Sequence, residues 1–345
     1  AAFNAAPIGT GPFVLKSWER GGRMTFVANP HYWGGKPQLQ EVVFQGQPSS
    51  ATELVGFQTR EIDAGFDAGP GMLPEYEQLK GMQVVRSRSL RLSVGVMNCG
   101  RQPFADVHVR HAAAYAIDRS AVLRDVAHGA GTLADEYIPR WSWAYTADVP
   151  HYAYDPARAA AELDADGWLR GPTGTRSKSG RTLSIVLIGT AGDQAGAKLD
   201  AMVQQYLTAV GFSVTIKDYP YTLIFDNDGP FRTGNYDLGF YTYSVNYDPS
   251  SLDDFGCQYF APNGGNSMHF CNPATDRLEE AALTITDRAR RKALYAQIQS
   301  QRMADLPMIP MYFRDRIGVV SDALDHYTPS SGIIPQWQAW QWTMR

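Results

Sequence analysis

The sequence predicts an α/β protein of two lobes, built on doubly wound mixed sheets with a ligand cleft between the lobes. Two observations carry this. At 345 residues the chain is longer than the range over which one hydrophobic core keeps growing, so it divides into lobes. The run Leu183 to Lys217 then reads strand, helix, strand, and such a crossover requires a parallel strand pair. Composition removes other classes. A chain that is 44% hydrophobic and 19% charged is folded rather than disordered. A net charge of -4 with a pI near 6.0 offers no basic field to a phosphate backbone or a membrane surface, so nucleic acid is not expected as a partner. No apolar run approaches the roughly 18 residues that cross a bilayer. The start, Ala1-Ala2-Phe3-Asn4, has neither an initiator Met nor a signal peptide and reads as processed or cut.

The first hundred residues read as short strands and turns. Phe13 to Trp18 and Met24 to Ala28 flank Glu19-Arg20-Gly21-Gly22, a hairpin signal, and Glu41 to Gln47 is a third strand. Ser49 or Ser50 caps a helix through Thr59. A strand from Ile62 to Phe66, a helix from Pro74 to Lys80 and strands at Met82 to Val85 and Leu90 to Met97 follow. One helical region is expected from Asp106 to about His128. Residues 129–154 hold Trp141 and Trp143 without periodicity, the mark of a long ordered loop. Asp155-Pro156 opens a helix to Asp166 that Gly167 stops, and Gly171 to Arg181 is expected to be a solvated loop. The clearest helix, Asp193 to Val210, carries Leu199, Met202, Val203, Tyr206 and Leu207 on one face. Strands Phe212 to Lys217 and Tyr236 to Tyr243, helices Pro273 to Leu283 and Thr286 to Ala304, and a strand Met308 to Val320 complete the chain before a Trp-rich tail.

Catalytic and metal chemistry finds little support. Gly265-Asn266-Ser267-Met268-His269 lacks the second glycine and the strand-turn-helix setting of a nucleophile elbow. Gly9-Thr10-Gly11 is followed by Pro12, which removes a backbone donor that a phosphate loop would need. No cofactor is expected. Asp164-Ala165-Asp166-Gly167 and Asp226-Asn227-Asp228-Gly229 lack the distal Glu of a calcium loop. His108 and His111, three apart on a helix, read as a surface pair. Cys257, His269 and Cys271 lack a fourth zinc ligand, so no metal site is assigned. The spacing favours a disulfide between Cys257 and Cys271, with Cys99 free.

Several ordered motifs carry a resemblance. Ile8-Gly9-Thr10-Gly11-Pro12-Phe13, Asn29-Pro30-His31-Tyr32-Trp33-Gly34-Gly35-Lys36-Pro37 and Gln58-Thr59-Arg60-Glu61-Ile62-Asp63 come first. Asn98, Pro103-Phe104, Asp106-Val107, Val109-Arg110-His111-Ala112 and Ile117-Asp118-Arg119 follow, then Tyr236-Asp237-Leu238, Asp248-Pro249, Asn272-Pro273, Asp276-Arg277-Leu278 and Pro307-Met308-Ile309-Pro310-Met311-Tyr312. Together they resemble solute-binding protein family 5 of ABC importers, the type that binds oligopeptides, dipeptides or nickel. The resemblance implies a periplasmic-binding-protein type II-like fold with residues 1–96 and 316–345 in lobe one and 97–315 in lobe two. It also implies a hinge at the two crossings, a peptide or small-molecule ligand, an ABC permease as membrane partner and a monomeric receptor without enzymatic activity. An oligosaccharide, opine-like compound or metal chelate is the alternative solute. The expected location is periplasmic or extracellular, anchored as a lipoprotein in the full-length form. In the family the Gly-Thr-Gly-Pro motif lies well inside the chain, which implies an upstream segment before residue 1.

The resemblance also implies where a solute would be held. In peptide-binding members an aspartate shortly before the Asp-Pro pair takes the ligand's amino group, because a desolvated ammonium needs a carboxylate. That position here is Val245, a departure from the pattern. Asp248 is a candidate, with an Asp-Pro turn cap as its other reading. Tyr241, Tyr243 and Tyr247 alternate along a strand end and either face the cleft or fill the core. Arg232 matches a position used for carboxylates, or is a loop arginine. Trp141 and Trp143 stack on a solute or pack within their loop. Asn98, at the first lobe crossing, completes the set.

Overall fold

The computed structural model describes residues 7–328, 330 and 334–345; the reading of the start at Ala1 to Asn4 lies outside them. Two compact units result, one of Ala1–Ser89 with Asp315–Arg345 and the other of Leu90–Arg314. The first begins with an antiparallel meander of β1 (Phe13–Trp18), β2 (Arg23–Ala28) and β3 (Glu41–Gln45). The turn between β1 and β2 needs Gly21 at φ 77°, a conformation that glycine reaches without strain. Helix α1 (Ser50–Thr59) starts where Ser49 accepts from the Thr52 amide at 3.1 Å and stops at Arg60 in the left-handed region.

Two expectations shrink here. The strand Ile62 to Phe66 is reduced to β4 (Ala64–Gly65), and the helix Pro74 to Lys80 to a single turn, α2 (Leu73–Tyr76). A third grows: Met82 to Val85 and Leu90 to Met97 are one 16-residue strand, β5 (Met82–Met97). Arg86 and Arg88 are exposed while Ser87 and Ser89 turn inward, so the period of two continues through the polar interval.

In the second unit the region Asp106 to His128 is two helices, α3 (Val107–Ala116) and α4 (Arg119–Asp125). Ile117 is extended, and Asp118 caps the second helix by accepting from the Ala121 amide at 2.9 Å. A local cap thus overrides a continuous apolar pattern. The long loop contains β6 (Gly131–Leu133) and leads to α5 (Pro156–Ala165), capped by Asp155. The stretch expected as a solvated loop forms a small sheet of β7 (Leu169–Arg170), β8 (Arg176–Lys178) and β9 (Arg181–Thr182). Buried Arg176 organises it, donating to the carbonyls of Val210 at 2.8 Å and Trp168 at 2.6 Å.

The crossover is present as β10 (Ser184–Thr190), α6 (Gln194–Ala209) and β11 (Ser213–Tyr219), with β10 and β11 parallel. After the single turns α7 (Tyr221–Ile224) and α8 (Pro230–Thr233) comes β12 (Leu238–Ser244), parallel to β10 and antiparallel to β5. Another single turn, α9 (Leu252–Phe255), precedes α10 (Pro273–Leu283) and α11 (Arg288–Asp305). Strand β13 (Met308–Ser321) completes the order β11-β10-β12-β5-β13 and, beyond residue 315, pairs with β4. The tail holds β14 (Leu324–Asp325) and β15 (Thr343–Met344), where Trp342 packs on Phe66 at 5.4 Å.

The core of the second unit collects Leu92, Val94, Phe104, Val203, Phe212 and Leu238, all but fully buried. Each such side chain contributes about 1.5–3 kcal/mol. One ion pair lies within this unit out of water: Arg302 donates to Glu279 Oε1 at 2.9 Å, bonds Ser251, and lies 4.2 Å from the Phe255 ring centre. Glu279→Ala leaves a buried charge unpaired, and urea unfolding is expected to show a loss of about 3–5 kcal/mol, while replacing both partners by apolar residues recovers most of it.

Asp200, on α6, is buried, and burial, with Asp218 and Asp193 adding repulsion, raises its carboxyl from 3.8 to about 7. A raised acid binds its proton more tightly folded than unfolded, so its contribution is fully present below the unfolded value and is lost as pH rises through the folded one. Denaturant midpoints of Asp200→Asn and the parent chain should coincide near about pH 4 and diverge in the variant's favour by about pH 8. Parallel curves across that range would refute the assignment.

Candidate functional site

The sequence-predicted residues all lie in the second unit and, Trp141 apart, fall into three groups. Asn98 directly follows β5, buried, with both amide hydrogens committed: Nδ2 donates to Gly234 O at 2.8 Å and Tyr236 O at 3.2 Å. Its Oδ1 accepts from the Gly100 amide at 3.1 Å. An asparagine so engaged is a clamp between the end of β5 and the approach to β12. Arg232 likewise serves backbone, donating to Gly264 O at 2.9 Å and to Pro262 O. It thereby holds the turn inside the loop that the disulfide Cys257–Cys271 closes, while Cys99 is a free thiol.

The second group is on β12. Tyr241 and Tyr243 lie opposite Val94 and Leu92 of β5, on the same sheet face. Tyr241 meets Phe231 at 5.2 Å and Phe225 at 5.5 Å, both edge-on. Burial pushes its hydroxyl up to about 12, with Ser267 pulling the other way. Tyr243 donates to Asp254 Oδ2 at 2.7 Å, and burial and that carboxylate together drive its hydroxyl well above the usual tyrosine range. Burial raises Asp254 in turn, against the hydrogen bond from Tyr243. Both tyrosines are half-buried, so each joins a packed ring to a polar tip. Val245, next along, is buried, and its amide donates to Leu90 O at 2.8 Å.

The third group is the one the fold brings together. Trp143 Nε1 donates to Tyr247 O at 3.2 Å, and the guanidinium groups of Arg288 and Arg291 lie 5.2 and 5.4 Å from its ring. Arg291 Nη2 also donates to both Asp248 oxygens at 2.8 Å. Burial would raise Asp248, but hydrogen bonds from Arg291, the Ser250 amide and Tyr295 outweigh it and hold the carboxyl below its ordinary value. Asp248 is therefore engaged inside its own unit. The Tyr247 side chain is 57% exposed, the most open of the predicted aromatics. Trp141 belongs to none of these groups and packs on Phe313 at 5.4 Å. Two open depressions of about 580 and 450 Å³ lie elsewhere in this unit, the first along Arg101, Gln102 and Arg181, the second along Leu123, Arg124 and His128. Neither is lined by a predicted residue.

Sequence reasoning missed the partners. Asp254, Arg288 and Arg291 stand outside every motif, and only the return of α9 and α11 to the end of β12 makes them relevant. The proximity of Asp254 to the Asp248-Pro249 turn was the one available signal.

The sequence and the fold have known counterparts. The family model described as "Bacterial extracellular solute-binding proteins, family 5 Middle" matches residues 1–267. The chain belongs to that family. Among curated relatives, Protein XP55 of Streptomyces lividans is 28% identical over 340 residues, covering 94% of this chain and 59% of that protein. The chain thus spans well under two thirds of this relative's length. Among solved structures, AppA from Bacillus subtilis in complex with a nonapeptide superposes with a TM-score of 0.83 at 24% identity, over 98% of this chain and 67% of that one. NikZ from Campylobacter jejuni in complex with Ni(L-His) gives 0.89 at 20% identity, over 99% and 70%. The fold of this family 5 chain is accordingly that of the type II periplasmic binding proteins, and among its described residues no helix is long and apolar enough to cross a membrane.

The pairing of Cys257 with Cys271 has a direct check. Labelling of the unfolded, unreduced chain should modify one thiol per molecule, Cys99, and reduction should raise this to three; three before reduction would exclude the bond.

Proposed function

We propose that this family 5 chain is the ligand-binding part of a receptor for an ABC importer, taking up a peptide or peptide-like solute outside the cytoplasm and presenting it to a membrane permease. The observation that carries this reading is the family match across residues 1–267. In this reading the receptor makes and breaks no bond, acts as a monomer, and is held at the membrane in its full-length form by a lipid anchor. The two units are its lobes, and ligand shifts a population between their arrangements. Tyr247, with its exposed ring, and the half-buried Tyr241 and Tyr243 are the side chains of the second unit best suited to contact the solute.

A second reading, a metal chelate or other solute without a free amine, is favoured by Val245. Peptide-binding members are expected to hold an aspartate at this position, whereas here the side chain is apolar and buried. The neighbour NikZ carries Ni(L-His).

Native mass spectrometry of the gently purified chain, set beside its denatured mass, distinguishes the two. A retained mass equal to a sum of amino-acid residues plus one water is the expected result. A metal isotope pattern would replace the peptide reading by the chelate reading, and hexose increments would replace both.

A further inference from the structure

Helices α3 and α5 pack against one another, and each turns a ligating side chain toward the same place. His108 and His111 share a face of α3, three residues apart. Glu162, 54 residues after His108, reaches them from the last turn of α5. One ring nitrogen from each histidine and one oxygen of Glu162 all lie within 4.8 Å of one another.

We propose that His108, His111 and Glu162 form a binding site for a divalent cation of the zinc type, clipping α3 to α5. Two imidazoles and one carboxylate are a borderline nitrogen and oxygen set, which suits Zn²⁺ and disfavours Mg²⁺ and Ca²⁺, whose shells are built from oxygen. A tetrahedral ion with bonds of about 2.0–2.1 Å spaces its ligand atoms about 3.4 Å apart, so no pair here has to close by more than about 1.4 Å. His108 Nδ1 and Glu162 Oε2, at 3.1 Å, are already at that spacing, and the cation replaces the proton they share. The fourth position is open to water.

His111 is held in the manner of a metal-site histidine. Its Nε2 faces Ala304 O at 2.7 Å and its ring lies 5.2 Å from that of Tyr152. Donating one ring N–H to a carbonyl fixes the tautomer and leaves the lone pair on the other nitrogen. The nearby cation, Arg110, is spent on the carbonyls of Phe104, Ala105 and Asp305. The site lies in the first turns of α3, where the helix dipole opposes a cation, so the charge of Glu162 is essential to it.

Calorimetric titration of the chain with ZnCl₂, with MgCl₂ as control, tests the site. One equivalent of Zn²⁺ should bind, and Mg²⁺ should not. His108→Asn and Glu162→Gln should each weaken Zn²⁺ binding by at least roughly 10–100-fold, the loss that even outer partners of a ligand cause. His108 is exposed and glutamine is isosteric with glutamate, so metal-free unfolding midpoints close to the parent's separate lost binding from lost folding. Absence of Zn²⁺ binding by the parent chain, or unchanged affinity in both variants, would overturn the proposal. Neither outcome bears on the solute, whose candidate contacts are on β12 and the turn after it.

Discussion

Arg302 is the interaction on which the second unit depends. It comes from α11, is 1% exposed, and joins Glu279 of α10, Ser251 at the start of α9 and the rings of Phe255 and Tyr137. A guanidinium removed from water is costly unless it is compensated, and here Ser251 and Glu279 accept from its two terminal nitrogens while the rings of Phe255 and Tyr137 cover its face. The position of α9 follows, and with it that of Asp254, which receives the Tyr243 hydroxyl. A charge buried by helix packing thus determines how the end of β12 is presented.

The same unit shows why polar residues near a strand end need not be ligand contacts. Asn98, Arg232 and Asp248 have the chemistry to hold a solute, yet each is occupied: Asn98 and Arg232 by backbone carbonyls, Asp248 by Arg291. A binding surface needs a rigid frame, and groups that immobilise the frame are of the same types as those that would recognise a ligand. Tyr247 differs because its exposed ring has no such structural task in this unit.

Much of the fold was legible because caps and periodicity are local. Ser49, Asp155, Asp193 and Asn272 each begin a helix by accepting from a backbone amide within three residues, and the crossover from β10 to β11 needed only the apolar face of α6 and the glycine after it. Misreadings occurred where a local signal met a distant one. The helical region expected from Asp106 to about His128 divides into two helices at Ile117 because Asp118 supplies a cap, and the Gly171 to Arg181 loop became a sheet because Arg176 reached the carbonyls at Trp168 and Val210.

The sequence by itself determined the α/β class, the order of most elements, the family and the residue types available for binding. These depend on spacing along the chain, which folding does not alter. Only the tertiary structure decided which of those residues are free. It spent Asn98 and Asp248, left Tyr247 open, and brought Glu162 to His108 across 54 residues. The reason is that a side chain's availability is set by the partners that packing brings to it, and those come from parts of the chain that no local pattern connects.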